Sequence, residues 1–225
     1  MTQFKTPVVF SDFDGTITEH DVILSIMEKF APPEWIEIKD NILYKRTITL
    51  KDGVEKLFSL IESSKKNEVV DFIKERIKLR EGFADFLDFC EKEKIDFNVL
   101  SAGLDFLIVV VLKQYKDKLK IFCNQANFNS EKIKIDYKYL PKNCNLCGDC
   151  GCCKFEIVEN YPREKFLRIV IGDGLADLAP SKVADMVFAR GDLIKYLEQE
   201  KISFIPFSNF HEVKEQLTQK LSIRI

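Results

Sequence analysis

Two aspartates separated by one residue, Asp12 and Asp14, are the side chains in this sequence best suited to chemistry. They lie within the run from Val8 to Thr18, which reads V-V-F-S-D-F-D-G-T-I-T. Val8 to Phe10 is a short apolar run of the kind a buried strand uses. On a strand, side chains at i and i+2 share a face. The spacing therefore predicts two carboxylates pointing the same way at a strand end. Gly15 follows and permits a sharp turn, having no Cβ to clash. An Asp-Gly pair alone is ordinary turn chemistry. D-F-D-G-T directly after an apolar strand instead suits a ligand site at the carboxyl edge of a parallel sheet.

Three later stretches carry matching residue types. Ser101 follows the expected short strand Phe97 to Leu100, and its small neighbours Ala102 and Gly103 would expose backbone N–H groups to a phosphate oxygen. Lys154 stands after a cysteine-rich loop and before a helical segment. Gly172-Asp173-Gly174-Leu175-Ala176-Asp177 follows the expected buried strand Leu167 to Ile171 and repeats the opening logic of acids and glycines at a strand end. Each stretch alone is a turn or a solvated lysine. Two acidic strand ends in one chain make that reading hard to keep.

These residues need elements to position them. Asp21 to Phe30, Glu34 to Tyr44, the stretch capped by Thr49, and Lys66 to Leu79 show apolar residues at helical spacing. No strand pattern occurs between 20 and 80. Beyond it, strands at Phe97 to Leu100, Lys120 to Phe128, Ile133 to Tyr139, Leu167 to Ile171, Met186 to Ala189 and Phe204 to Phe207 alternate with helices. The last helices are expected at Asp177 to Ala184, Leu193 to Glu198 and Glu212 to Leu221. This predicts an α/β chain: a Rossmann-like doubly wound parallel sheet with an inserted small helical cap. Residues 1–18 and 80–225 form the core and residues 19–79 the cap.

Composition narrows the function classes. The chain has 225 residues, 46% hydrophobic and 31% charged, with a net charge of −2. Acids and bases are interspersed, so nucleic acid is not an expected partner. The N-terminal residues lack a signal-peptide apolar region, and the longest apolar run, Phe106 to Leu112, is too short to span a bilayer. A cytoplasmic protein with reduced cysteines and no membrane partner is expected.

In order, D-x-D-G-T, Ser101, Lys154 and G-D-x-x-x-D resemble the four motifs of the haloacid dehalogenase superfamily, across almost the whole chain. The resemblance implies the phosphoserine-phosphatase-like type of helical cap. It implies Asp12 as nucleophile and Asp14 as general acid and base, with Ser101, Ala102 and Lys154 binding phosphate. It also implies a metal held by the Asp12 side chain, the Asp14 main-chain carbonyl and Asp173, with Asp177 ligating or supporting it. Four carboxylates cannot share a small site without a cation, and oxygen-only ligands select Mg²⁺. An acid two residues after the nucleophile separates the superfamily's phosphatases from its dehalogenases, so the expected substrate is a small phosphorylated metabolite.

Two departures bear on the substrate. Ala176 stands where phosphoserine phosphatases carry Asn, and the only cap arginines that could meet an amino-acid carboxylate are Arg46 and Arg76. Phe30-Ala31-Pro32-Pro33-Glu34-Trp35 and Cys150-Gly151-Cys152-Cys153-Lys154 are similar to a narrower family, the 2-hydroxy-3-keto-5-methylthiopentenyl-1-phosphate phosphatases of methionine salvage. Phe30 and Trp35 could offer a thioether an apolar wall, or pack the cap. Cys144, Cys147, Cys150, Cys152 and Cys153 could form a structural Zn²⁺ knot, a redox-sensitive loop or plain packing thiols. Competing classes are phosphoserine phosphatase, another small-metabolite phosphatase, a phosphoryl transferase on the same scaffold, and a non-catalytic metal or redox protein. The motifs do not encode an oligomeric state.

Overall fold

Strand β1 (Thr6–Asp12) is the middle member of a seven-stranded sheet. The computed structural model describes residues 5–142, 144, 146 and 149–222. Its other strands are β2 (Asp96–Leu104), β3 (Lys120–Asn127), β4 (Lys134–Asp136), β5 (Phe166–Gly172), β6 (Met186–Ala189) and β7 (Ile205–Pro206), in the spatial order β4-β3-β2-β1-β5-β6-β7. All neighbours are parallel except β3 and β4, which form an antiparallel hairpin.

Both faces of β1 are covered, as its unbroken apolar run requires. Val9 joins a large core with Phe13, Phe86, Phe97 and Phe210, while Val8 and Phe10 face a second core with Leu100, Val158 and Val170. Helices α5 (Phe83–Lys92) and α10 (Phe210–Ser222) supply the first layer, and α7 (Lys154–Glu159) the second. Each fully buried Phe or Ile there contributes about 1.5–3 kcal/mol.

The chain winds outward from β1 through β2 to β3, then returns beside β1 as β5 and proceeds to β6 and β7. That reversal opens a crevice at the carboxyl ends of β1 and β5, where ligands bind in doubly wound sheets.

Between β1 and α5 lie α1 (Val22–Phe30), α2 (Trp35–Leu43), α3 (Leu50–Ser59) and α4 (Lys66–Arg76). Asp21 caps α1 by accepting from the Leu24 N–H at 2.8 Å, and Thr49 caps α3 by accepting from Asp52 at 3.0 Å. Ile26, Met27, Leu57, Phe58, Val69 and Ile73 are buried in the same large core as Val9. The segments entering and leaving these helices run side by side: Thr18 bridges Leu79, Glu19 N–H donates to the Lys78 carbonyl and Arg80 N–H to that of Ile17.

Some boundaries differ from the sequence reading. Strand β2 extends through Ser101, Ala102 and Gly103, so these residues lie within its end rather than after it. The helix expected over Asp177 to Ala184 is a 3₁₀ turn (Leu175–Asp177) followed by α8 (Leu178–Ser181). The Lys182 N–H still reaches the Leu178 carbonyl at 3.3 Å, while Val183 and Ala184 continue only as i→i+3 turns.

Candidate active site

Asp12 ends β1, 9% exposed. Asp14 does not continue the strand. Phe13–Ile17 wind one wide turn in which Asp14 has φ −73° and ψ 116° and Gly15 has φ +77°. The i, i+2 strand argument therefore fails for this pair, because the backbone turns after Asp12. The Asp14 carboxylate instead accepts from the Val22 N–H at 3.1 Å and from Ser101 Oγ at 3.3 Å. Gly15 is needed here twice over: it takes a left-handed conformation, and a Cβ on it would lie 2.5 Å from Asp173 Oδ2.

Lys154, the first residue of α7 and 4% exposed, ties the stations together. Its Nζ donates to Asp12 Oδ1 at 2.5 Å and to Asp177 Oδ1 at 2.7 Å. The other Asp177 oxygen accepts from the N–H groups of Asp173 at 3.1 Å and Gly174 at 3.2 Å. A Cβ on Gly172 would lie 2.4 Å from Asp177 Cγ, so only glycine lets Asp177 fold back over the strand end. Thr16 Oγ1 donates to Asp173 Oδ1 at 3.0 Å.

One carboxylate oxygen from each of Asp12, Asp173 and Asp177 lies within 4.8 Å of the others. Carboxylates this close repel one another, and a shared proton or a bound cation relieves that repulsion. This all-oxygen donor set fits a hard cation such as Mg²⁺. The Asp14 side chain stands outside the group.

The electrostatics follow from burying four acids around one lysine. Burial raises Asp12 well above the ordinary carboxylate range; Lys154 opposes this, and Asp177, Asp173 and Asp14 add to it. Asp14 is pushed up to about 7 by burial and then by the charge of Asp21, with the Val22 N–H and Ser101 pulling the other way. Asp173 rises to about 6 through burial and the Asp177 charge. Burial disfavours the charge of Lys154, but Asp12 and Asp177 outweigh it and hold its pKa above the usual lysine value.

Ser101 Oγ also accepts from the Gly103 N–H at 2.9 Å, and the Ala102 carbonyl accepts from Asn124 at 3.0 Å. The cap residues singled out in the sequence are occupied elsewhere. Phe30 meets Phe72 edge-on at 5.5 Å, and Trp35 packs against the large core. Arg46 donates to the Tyr196 hydroxyl at 3.1 Å, and Arg76 lies exposed beside Glu75. Neither arginine shows a contact with the acidic group.

Of the cysteine loop, Cys147 lies outside the described residues. Cys153 is within hydrogen-bond reach of Cys144 and is raised to about 12, chiefly by burial. Cys152 points into the second core toward the Phe122 carbonyl. Nothing among the described residues supports zinc at this loop. The loop does touch the inserted helices: Lys51, at the start of α3, pairs with Asp149 at 2.9 Å, and its N–H donates to the Asp149 carbonyl at 3.1 Å.

Sequence reasoning missed Asp21, Arg80 and Arg190. Asp21 carried a readable signal, an acid just before an apolar helical run. Arg80 and Arg190 carried none. Both donate to the Gly15 carbonyl, across 65 and 175 residues of chain.

A doubly wound parallel sheet with an acidic group and a buried lysine at its carboxyl edge, and helices inserted after the first strand, is the haloacid dehalogenase fold. A substrate-bound phosphoserine phosphatase complex structure superposes with a TM-score of 0.68 at 18% identity, covering 95% of this chain and 99% of that one. The chain belongs to the phosphatase family whose model, described as "Putative Phosphatase", matches residues 7–220. Proteins named 2-hydroxy-3-keto-5-methylthiopentenyl-1-phosphate phosphatase are similar to it along their length. That of Geobacillus thermodenitrificans is 42% identical, covering 97% of this chain and 98% of the relative. That of Bacillus velezensis is 40% identical, covering 93% and 89%.

Proposed function

We propose that this phosphatase is a Mg²⁺-dependent, cytoplasmic enzyme that hydrolyses 2-hydroxy-3-keto-5-methylthiopentenyl-1-phosphate through an aspartyl-phosphate. The reaction assignment is carried by Asp12, an acid at the end of the central strand, hydrogen-bonded to buried Lys154 inside a group of three carboxylates. The substrate assignment is supported by the two relatives of that name, which match over nearly their whole length.

An Asp12 oxygen attacks phosphorus as the bond from phosphorus to the substrate oxygen breaks. Asp14, whose pKa near 7 lets it hold a proton at neutral pH, gives that proton to the leaving oxygen. Water then attacks the phosphoryl group on Asp12. Asp14 takes the water's proton, the bond from phosphorus to Asp12 breaks, and phosphate leaves. Ser101, the backbone N–H of Ala102 and Lys154 hold the phosphoryl oxygens. Asp12, Asp173 and the Asp14 carbonyl would hold Mg²⁺, with Asp177 anchoring the Asp173 backbone. Bound there, Mg²⁺ would supply positive charge to the phosphoryl oxygens. Residues 1–18 and 80–225 act as the catalytic core. Residues 19–79 act as a cap that shields the site from water and selects the substrate.

The test is an Asp12→Asn variant assayed for phosphate release. It should be inactive on p-nitrophenyl phosphate and on the methylthiopentenyl phosphate, and full activity would overturn the nucleophile. A metabolite screen with the wild-type enzyme tests the substrate. A higher kcat/KM for phosphoserine, or acceptor-dependent turnover without phosphate release, would replace it.

A further inference from the structure

Two arginines converge on one carbonyl of the turn that carries Asp14. Arg80, 8% exposed, donates from Nη2 to the carbonyls of Gly15 at 2.7 Å, Thr18 at 2.9 Å and Glu19 at 3.2 Å. Its Nε donates to Thr16 at 2.8 Å and its Nη1 to Ser208 at 3.5 Å. Arg190 Nη1 donates to the same Gly15 carbonyl at 2.5 Å, and its Nε is buried without a hydrogen-bond partner. Among the described residues neither guanidinium pairs with a carboxylate. Arg80 is buried and Arg190 partly so, and burying a cation without a charged partner is costly. The two also repel each other: Arg80 is lowered by burial and then by Arg190, while Asp173 acts in the opposite sense.

The arginines arrive from independent parts of the fold. Arg80 ends the segment that returns from the cap helices. Arg190 precedes α9 (Gly191–Gln199), and its N–H donates to the Gly172 carbonyl at the end of β5 at 3.1 Å. A hinge pin for the cap would need Arg80 alone. What the two share is Gly15, and Gly15 and Thr16 are the residues that press against Asp173. A Cβ on Gly15 would lie 2.5 Å from Asp173 Oδ2, and Thr16 Oγ1 donates to Asp173 Oδ1 at 3.0 Å.

The geometry points to Arg80 and Arg190 as positioning residues of the phosphatase reaction, which clamp the Gly15–Thr16 backbone and so fix Asp173 relative to Asp12. This rests on the roles proposed above for Asp12 and Asp173. A guanidinium can reach several carbonyls at once because its donors form a rigid fork; an ammonium keeps the charge but loses the fork. Arg→Lys therefore tests the clamp while conserving charge.

Arg80→Lys and Arg190→Lys would each be measured for melting temperature, for kcat and KM on p-nitrophenyl phosphate, and for Mg²⁺ affinity by calorimetry without substrate. Misplacing a reacting group by the order of 1 Å costs about 10²-fold in rate. The expected result is kcat lower by about 10- to 100-fold, KM within about threefold of wild type, and Mg²⁺ affinity weakened by about tenfold. If both variants fold and keep kcat and Mg²⁺ affinity within about twofold, the clamp is overturned, even where melting temperature falls. Should Arg80→Lys fail to fold, Arg190→Lys decides the matter alone. Asp12→Asn is assayed alongside: turnover in that variant would remove the underlying site assignment, whereas its inactivity beside normal lysine variants would remove only the clamp.

Discussion

Removing the amine of Lys154 probes the balance of charge at the strand ends most directly. In Lys154→Met the side-chain volume is nearly conserved, but Asp12 and Asp177 lose the donor that bridges them at 2.5 and 2.7 Å. Asp177 is 2% and Lys154 4% exposed, so water cannot readily take the amine's place. Breaking a buried ion pair by deleting one partner costs about 3–5 kcal/mol. At about 2–4 °C per kcal/mol for a chain of this size, the melting temperature should fall by about 6–20 °C. The sign with pH follows from Asp12. Burial already raises its pKa, and without Lys154 it rises further. A carboxyl with a raised folded-state pKa binds its proton more tightly when folded. Its contribution is therefore full below the ordinary value of 3.8 and is lost as pH climbs through the folded value. Thermal unfolding in chelator should show a large deficit near about pH 8 and a smaller one near about pH 5. A deficit below about 2 °C at the higher pH, or an equal deficit at both, would refute the charge argument. Turnover in this variant should drop by about 10²–10³-fold.

Other perturbations follow from the same geometry. Asp14→Asn should lower kcat by about 10²–10⁴-fold, with phosphorylated Asp12 accumulating in rapid-quench mass spectrometry; an unchanged rate on an alkyl phosphate would remove Asp14 as the proton donor. Asp21→Asn keeps a good helix cap but deletes the charge that helps raise Asp14. The alkaline limb of kcat/KM on an alkyl phosphate should move to lower pH, and no movement would show that Asp21 does not tune the acid. Gly15→Ala forces a left-handed alanine against Asp173 Oδ2, costing about 1–3 kcal/mol of backbone strain and displacing that carboxylate. Its Mg²⁺ affinity by calorimetry should fall, and a wild-type value would show that the turn tolerates the methyl group. Chelator should abolish phosphate release and added Mg²⁺ restore it; activity persisting in chelator would contradict the metal assignment.

Local chemistry made much of this molecule legible from its sequence. Apolar runs located the central strands, and Asp21 and Thr49 announced helix starts because caps act over three or four residues. Two acidic strand ends pointed to one site, because parallel sheets gather strand ends at one edge, and the order of the four stations resembled the haloacid dehalogenase motifs. Where local rules were extended beyond their element they failed. Alternation of strand side chains placed Asp14 beside Asp12, but the strand stops at Asp12, so Asp14 turns to Val22 and Ser101 instead.

The remaining decisions belonged to tertiary structure. Lys154 reads as a solvated surface residue until α7 inserts its first side chain between Asp12 and Asp177. Arg80 and Arg190 have no pattern that marks them, since their partners are main-chain carbonyls of any sequence, brought near by the pairing of the cap linkers and by β6 lying next to β5. The sequence determined which groups could do phosphoryl chemistry, because residue type sets nucleophilicity, charge and ligand preference. Only the fold decided which of them meet, how far their pKa values move and what holds them still, because burial and distance are properties of the packed chain.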